Sequence, residues 1–494
     1  MRESGILLPV TSLPSPYGIG TMGKLAYQWI DFLKIAKQNY WQVLPLGPTS
    51  YGDSPYQTFS GIAGNPYLID LDMLVEEGLL VEDEILQYKD LPLSIDYGNL
   101  YGWRFDVLKS AYHNFKPNSK YNKFIKENES WLKDYALFMS LKKHFNDVSW
   151  QEWPAEYKLR KPEVILEFEI NNTQEIKYWY FLQYMFYQQW GKLKKYANKN
   201  GVKIIGDIPI YVALDSADVW SNPSIFQLDK DLKPKRVAGC PPDAFTPLGQ
   251  LWGNPLYDYK KMAQNGYEWW INRIKYALVL YDVIRIDHFR GFEAYYSIPV
   301  EDDNAINGVW KKGPGMDLFS KVKEALPQAK IIAEDLGFLT PGVYKLLKDT
   351  GFPGMKILEF AFDVDSDSEY MPHNYDSNCV VYTGTHDNLP VRAWFETVTP
   401  EEKHIIREYL SLSSDDKVCD RLIRCALASK ANLAIIPIQD YLGLGIESRI
   451  NTPSTKTNNW VWRLEEKHIS VALAEYIGFL TKLYKRTKLE KKDK

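Results

Sequence analysis

Three short segments set an acid in the same local pattern: RIDHFRG at 285–291, AEDLG at 333–337 and GTHDN at 384–388. In each, a carboxylate (Asp287, Glu334 or Asp387) closes a short apolar run. Two carboxyls presented side by side can split a bond between sugars with retention of configuration, one attacking the anomeric carbon while the other, protonated, donates to the leaving oxygen. The donor must hold its proton near neutral pH, which needs partial burial and nearby negative charge. A single Asp in such a place reads as a solvated loop residue, because most carboxylates are merely exposed. Three of them, each at a strand end and each with His, Arg or Gly within three residues, point to a site. Arg285 stands two residues before Asp287, so in a strand both side chains share one face. A guanidinium there holds a nucleophilic carboxylate ionised and oriented. His386 directly precedes Asp387, and its claim rests on that neighbour.

The runs ahead of these acids, DVIRIDHF (282–289), KIIAEDLG (330–337) and CVVYTGTH (379–386), are rich in Val and Ile and read as buried parallel strands. GILLPV (5–10), WQVLPL (41–46), VKIIGDIPI (202–210), MKILEFAF (355–362) and LAIIPIQD (433–440) have the same character. Helical patterns such as 24–37, 263–281 and 402–412 alternate with them. Eight strands with intervening helices predict an α/β fold, a (β/α)8 TIM barrel, whose catalytic groups sit at strand C-terminal ends. We therefore expect residues 1–494 to form one elaborated catalytic barrel. A helical insertion over about 71–173 follows the second strand, and a Pro-, Gly- and Asn-rich active-face loop region over about 211–262 follows the third. The aromatic stretch 174–199 covers too much of a helix circumference to be a binding stripe and reads as packing.

Composition narrows the partners. Hydrophobic residues at 45% and charged residues at 25% are the balance of a soluble globular protein. A net charge of −4 supplies no basic field for a phosphate backbone, so no nucleic-acid partner is expected. The basic end KLYKRTKLEKKDK reads as a frayed, solvated helix. Four scattered cysteines read as reduced thiols, and no apolar run approaches the length of a signal peptide or membrane span, so a cytoplasmic location is expected. DVDSDSEY (363–370) starts like a calcium loop but has Ser368 where Gly is needed and Asn374 where a bidentate Glu is needed. No metal and no cofactor are expected. The composition suits a monomer or a homodimer.

Taken together, the acid motifs and the segments VTSLPSPYGIG (10–20), WQVLPLGPTSYGDSPYQTFSGIAGNPYLIDL (41–71), GDIPIYVALDSADVW (206–220), PPDAFTPLGQLWGNPLYDY (241–259), RINTPST (449–455) and WVWRL (460–464) resemble the 4-alpha-glucanotransferase family, amylomaltase or disproportionating enzyme, of the α-amylase clan. The likeness spans nearly the whole chain. It implies retaining transfer of an α-1,4-glucan segment from a maltooligosaccharide donor to the 4-hydroxyl of glucose or another glucan. It further implies Asp287 as nucleophile, Glu334 as general acid and then base, and Asp387 as transition-state stabiliser. Arg285 and His386 would contact the nucleophile and donor sugar, Asp207 the substrate side, Gln250 and Trp252 an acceptor-side lid, and Tyr51 the donor side. The chain departs from the family pattern with Pro9-Val10 where His-Pro is frequent, and with Ser454 where Gly is frequent. The segment after 464 is too short for the β-sandwich that ends many amylases, which fits amylomaltase better. The rival readings are a hydrolase of the same clan and a noncatalytic glucan-binding barrel.

Overall fold

The computed structural model describes residues 2–50, 52–242, 246–337, 339–364, 368–455 and 457–487. Twelve strands are numbered in chain order: β1 (Glu3–Leu7), β2 (Tyr40–Gln42), β3 (Lys203–Ile208), β4 (Arg236–Cys240), β5 (Gln250–Pro255), β6 (Val283–Ile286), β7 (Ala294–Pro299), β8 (Val309–Lys312), β9 (Ile331–Ala333), β10 (Gly354–Ile357), β11 (Cys379–Tyr382) and β12 (Leu433–Pro437). Eight of them pair in parallel in the order β10-β11-β12-β1-β2-β3-β6-β9, and these are the eight strands expected from the apolar runs. β9 and β10 meet without a ladder. There the ring is closed by the Ala333 N–H donating to the Pro353 carbonyl at 3.0 Å and by the Met355 N–H donating to Asp335 Oδ1 at 2.6 Å. The chain is a TIM-like barrel.

The ladders are shorter than the apolar runs for a physical reason. After β6 the backbone leaves the ladder at His288, whose φ of 48° ends the extended conformation. Wrapping helices bury one stripe each. Lys24–Ile35 buries Ala26, Trp29, Ile30, Phe32 and Leu33, the spacing of an amphipathic helix. The pattern over 263–281 is divided into Tyr259–Gln264 and Glu268–Leu280, because Gly266 and Tyr267 both adopt positive φ, 67° and 62°. The 27-residue helix Thr173–Lys199 is buried on most of its circumference, between the barrel and the helices of the region before it, including Tyr97–Asn114 and Glu129–His144. Its Gln183 and Gln189 clamp the segment leading from β2: each amide accepts the N–H and donates to the C=O of one residue, Gly64 and Asp70 respectively.

Residues 211–262 are more regular than the loop region read from their composition. β4 and β5 form a hairpin that joins β7 and β8 in a four-stranded antiparallel sheet, ordered β5-β4-β7-β8. Pro241, Pro242, Pro247 and Gly249 lie between β4 and β5, whereas Gly239, Gly253 and Pro255 lie within the strands, and the partner strands arrive from 294–312, too far along the chain for local patterning to reveal.

The C-terminal segment returns across the barrel, with the Leu464 N–H donating to the Ser12 carbonyl at 2.8 Å and Ser12 Oγ donating to the Trp462 carbonyl at 2.8 Å. Arg486, read from sequence as part of a solvated basic end, is fully buried. Its guanidinium donates to the carbonyls of Glu3, Ala426, Leu427, Ser429 and Ala431, five acceptors that replace water. Residues 488–494 of that basic end, and Asp365 and Asp367 of the rejected calcium loop, lie outside the described residues. Among the described residues no helix is long and apolar enough to cross a membrane.

Candidate active site

The mouth of the barrel is organised around one cation. Arg285, on β6 and 4% exposed in its side chain, directs Nη1 to Asp207 Oδ2 at 2.6 Å and to Asp287 Oδ1 at 3.0 Å. The two carboxylates differ in access. Asp207 on β3 is fully buried, and its Oδ2 also accepts from the Tyr56 hydroxyl at 2.7 Å. Asp287 keeps 29% of its side-chain surface open at the mouth. Asp207 thus lies buried against the guanidinium, while Asp287 is the one of the pair that reaches the open mouth.

Glu334 follows β9, the strand paired with β6. Its carboxyl accepts the His288 N–H at 2.5 Å and the Leu336 N–H at 2.8 Å, and its carbonyl accepts the Phe289 N–H at 2.9 Å. The left-handed turn at His288 aims that N–H across the strand pair, so the turn carrying Asp287 also fixes Glu334. Burial raises the carboxyl pKa of both Asp287 and Glu334. Arg285 opposes the rise at each, and the two N–H bonds oppose it further at Glu334.

Asp387 is held from the far side. Asn451 Nδ2 donates to its Oδ1 at 2.6 Å and Arg449 Nη2 to its carbonyl at 3.0 Å, while 45% of its side chain remains exposed. His386 Nε2 lies 3.4 Å from the same Oδ1. The His386 ring stacks on Tyr56 with centroids 5.1 Å apart and packs against Trp460 at 6.0 Å. Burial lowers its pKa, so the imidazole is neutral near pH 7. His288 is likewise neutral, its pKa pushed down to about 3 by burial and by Arg290.

Gln250 and Trp252 lie on β5. Gln250 Oε1 accepts the Trp252 indole N–H at 3.0 Å, and the Trp252 ring meets the His288 ring edge-on at 4.8 Å. β5 thereby touches the turn that carries Asp287. Tyr51 lies outside the described residues. Among the other expected residues, Asp207, Arg285, Asp287, Glu334, His386 and Asp387 converge on the mouth, and Gln250 and Trp252 reach it through His288.

Tyr56, His288, Asn451 and Trp460 also build the site, and sequence reasoning assigned none of them. Each lies inside a segment that carried the family resemblance, but no spacing rule connects Tyr56 to Asp207 or Asn451 to Asp387. Among the described residues no group of three or more His, Cys, Asp or Glu side chains is arranged to hold a metal ion.

A parallel barrel with strand-end acids converging around a buried arginine is the architecture of a carbohydrate-active enzyme. A family model described as 4-alpha-glucanotransferase, glycoside hydrolase family 77, matches residues 8–469. The 4-alpha-glucanotransferase of Clostridium butyricum is 52% identical over 483 residues, 97% of this chain and 99% of that protein. The amylomaltase from Streptococcus agalactiae, solved in complex with acarbose, is 40% identical and superposes with a TM-score of 0.95 over 99% of this chain and 100% of its own. The amylomaltase from Corynebacterium glutamicum, 19% identical, shares the fold with a TM-score of 0.76 over 97% of this chain and 75% of its own. The chain belongs to the 4-alpha-glucanotransferase family, and its activity is that of a 4-alpha-glucanotransferase, EC 2.4.1.25.

Proposed function

We propose that the chain transfers α-1,4-glucan segments between maltooligosaccharides in two configuration-retaining steps. In the first, Asp287 attacks the anomeric carbon while Glu334 gives its proton to the departing glycosidic oxygen, leaving a β-glucosyl ester on Asp287. In the second, Glu334 takes the proton of an acceptor 4-hydroxyl, which attacks the ester and remakes an α-1,4 bond. Arg285 keeps Asp287 ionised, and Asp207 and Tyr56 orient Arg285. Asp387, His386 and neutral His288 supply hydrogen bonds to sugar hydroxyls as the reacting ring flattens. Tyr51 contacts the donor chain. Gln250 and Trp252 form the acceptor-side wall, which favours a sugar over water.

The observation that carries this reading is the coupling of two adjacent strand-end carboxyls. The His288 N–H binds Glu334 directly after Asp287, above a buried Arg285–Asp207 pair. The acarbose complex of the Streptococcus agalactiae relative supports an oligosaccharide ligand. The cysteines, all free thiols, fit a cytoplasmic location, with the chain acting as a monomer or homodimer.

The test is incubation of purified protein with maltotriose, following the oligosaccharide ladder and total reducing ends. Glucose plus longer maltodextrins at constant reducing ends is the expected result. Rising reducing ends with shorter products only would identify a hydrolase, and unchanged maltotriose would favour a glucan-binding barrel. Asp287→Asn should abolish turnover; full activity in that variant would overturn the assignment.

A further inference from the structure

Asp335 is next to the proposed acid but takes no part in the chemistry above. It lies where the barrel ladder lapses. Among the described residues the paired sheet ends at β9 on one side and β10 on the other. Asp335 is 5% exposed, and its Oδ1 accepts the Met355 N–H on β10 at 2.6 Å. The strand has made room for it: a Cβ added at Gly354 would fall 2.4 Å from Asp335 Oδ2. Met355, 1% exposed, presents Sδ to Arg285 Nε at 3.4 Å. One carboxylate therefore anchors β10 to the residue beside Glu334, and β10 carries the side chain that touches the Arg285 guanidinium, the partner of Asp287.

We infer that Asp335 is a positioning residue for the transfer reaction, a clasp between β9 and β10 that holds Glu334 and, through Met355, Arg285 in register. The inference rests on the proposed roles of Glu334 and Asp287. A plain ladder hydrogen bond would close the ring as well as Asp335 does, but it would put no charge beside Glu334. Burial pushes the Asp335 carboxyl up to about 7, so the group is anionic through the alkaline range. The groups that share its surroundings are Glu334, Lys356 on β10, Cys379 on β11, Tyr344 on the helix Pro341–Thr350, and Tyr370. Lys356 is itself engaged by Glu369. The anion favours retention of the Glu334 proton, because like charges at close range raise each other's pKa.

Three variants separate the clasp from the charge: Asp335→Ala loses both, Asp335→Asn keeps an oxygen for the Met355 N–H but loses the charge, and Gly354→Ala displaces the carboxyl. Wild-type transfer from maltotriose is measured first, because its failure would sink the functional reading rather than this one. With transfer established, Asp335→Ala should lower kcat roughly tenfold or more with KM changed by no more than about twofold. Asp335→Asn should recover kcat to within about threefold, yet its alkaline pH limb should move down by roughly half a unit or more. Gly354→Ala should reproduce the kcat loss and cost nothing further when combined with Asp335→Ala, as expected of residues acting through one contact. Thermal melts identify any variant that fails to fold, in which case Asp335→Asn alone decides through its pH limb. Wild-type kcat in Asp335→Ala, or an unmoved alkaline limb in Asp335→Asn, would overturn the inference.

Discussion

Arg285→Gln removes the buried cation that contacts Asp287 while leaving an amide that can still donate to Asp207. Two unit charges 4 Å apart attract by about 4 kcal/mol at an effective dielectric of about 20. Arg285 Nη1 is 3.0 Å from Asp287 Oδ1 but is shared with Asp207, and Asp287 is 29% open to solvent. Sharing and screening leave roughly 1.5–3 kcal/mol at Asp287, which is about 1–2 pH units. Arg285 lowers the Asp287 pKa against burial and three carboxylates that raise it, so without Arg285 the pKa climbs further. In the proposed reaction Asp287 must be ionised to attack, and the acid limb of the pH–rate profile should therefore move to higher pH by that amount. The assay is kcat/KM for transfer from a donor with a good leaving group, which spares the demand on Glu334, measured from pH 4 to 9. Arg285→Lys is the control: it keeps the charge, so its limb should stay within about half a unit while its rate falls through lost geometry. An acid limb in Arg285→Gln that coincides with wild type, at measurable rate and with an intact fold, would refute the reasoning.

Three further outcomes are expected. Asn451→Ala frees Asp387 Oδ1 from its 2.6 Å donor, and loss of a hydrogen bond to a charged group, about 1.5–3 kcal/mol, should cut kcat roughly 10- to 150-fold; a change below threefold in single-turnover assays would remove Asn451 from the positioning of Asp387. Trp252→Ala should lower transfer more than hydrolysis, read as the ratio of new oligosaccharides to new reducing ends, and equal losses would argue against an acceptor-side role. Ser454 adopts φ of 65°, the left-handed conformation that costs an ordinary residue about 1–2 kcal/mol. Ser454→Gly should therefore stabilise the protein by up to about 1 kcal/mol in urea unfolding after glycine's greater unfolded-state entropy is subtracted, whereas a lower midpoint would show that the Ser side chain matters more than its backbone.

The barrel was legible because its eight strands lie in runs rich in Val, Ile and Leu, as burial on both faces demands, with only isolated polar residues such as Asp207, Arg285 and Lys356 among them. The acids were legible because three strand ends repeat one pattern. The antiparallel sheet β5-β4-β7-β8 was not, since pairings such as Arg236 with Pro299 join segments on either side of β6 and leave no local signature. Tyr56 illustrates the same limit within the site. Its hydroxyl reaches Asp207 across 151 residues of chain, and nothing in QTFSGIAG or its neighbours requires a phenol there. Ser454 was legible as a departure from a glycine-favouring position, but its strain became visible only with the backbone angle. Arg486 was misread because basic residues near a chain end are usually solvated, whereas carbonyls from several segments enclose this one.

The charge balance of the mouth explains how one carboxyl can serve the proposed reaction twice. Asp207 and Asp287 share the Arg285 guanidinium, Glu334 and Asp387 add further negative charge at Asp287, and burial penalises every additional negative charge at Asp287 and Glu334. The direct contact with Arg285 favours the anion on Asp287, which leaves Glu334 as the proton holder while Asp287 is free. Esterification of Asp287 removes that negative charge, so the repulsion that kept Glu334 protonated weakens at the moment its proton has gone to the leaving oxygen. The His288 and Leu336 N–H groups, at 2.5 and 2.8 Å, then stabilise the Glu334 carboxylate. It stays ionised until the acceptor hydroxyl returns a proton, and attack on the ester restores the Asp287 charge. The same turn residue, His288, follows Asp287, binds Glu334 and touches Trp252, so in the proposed reaction acceptor binding and the position of the base share one piece of backbone.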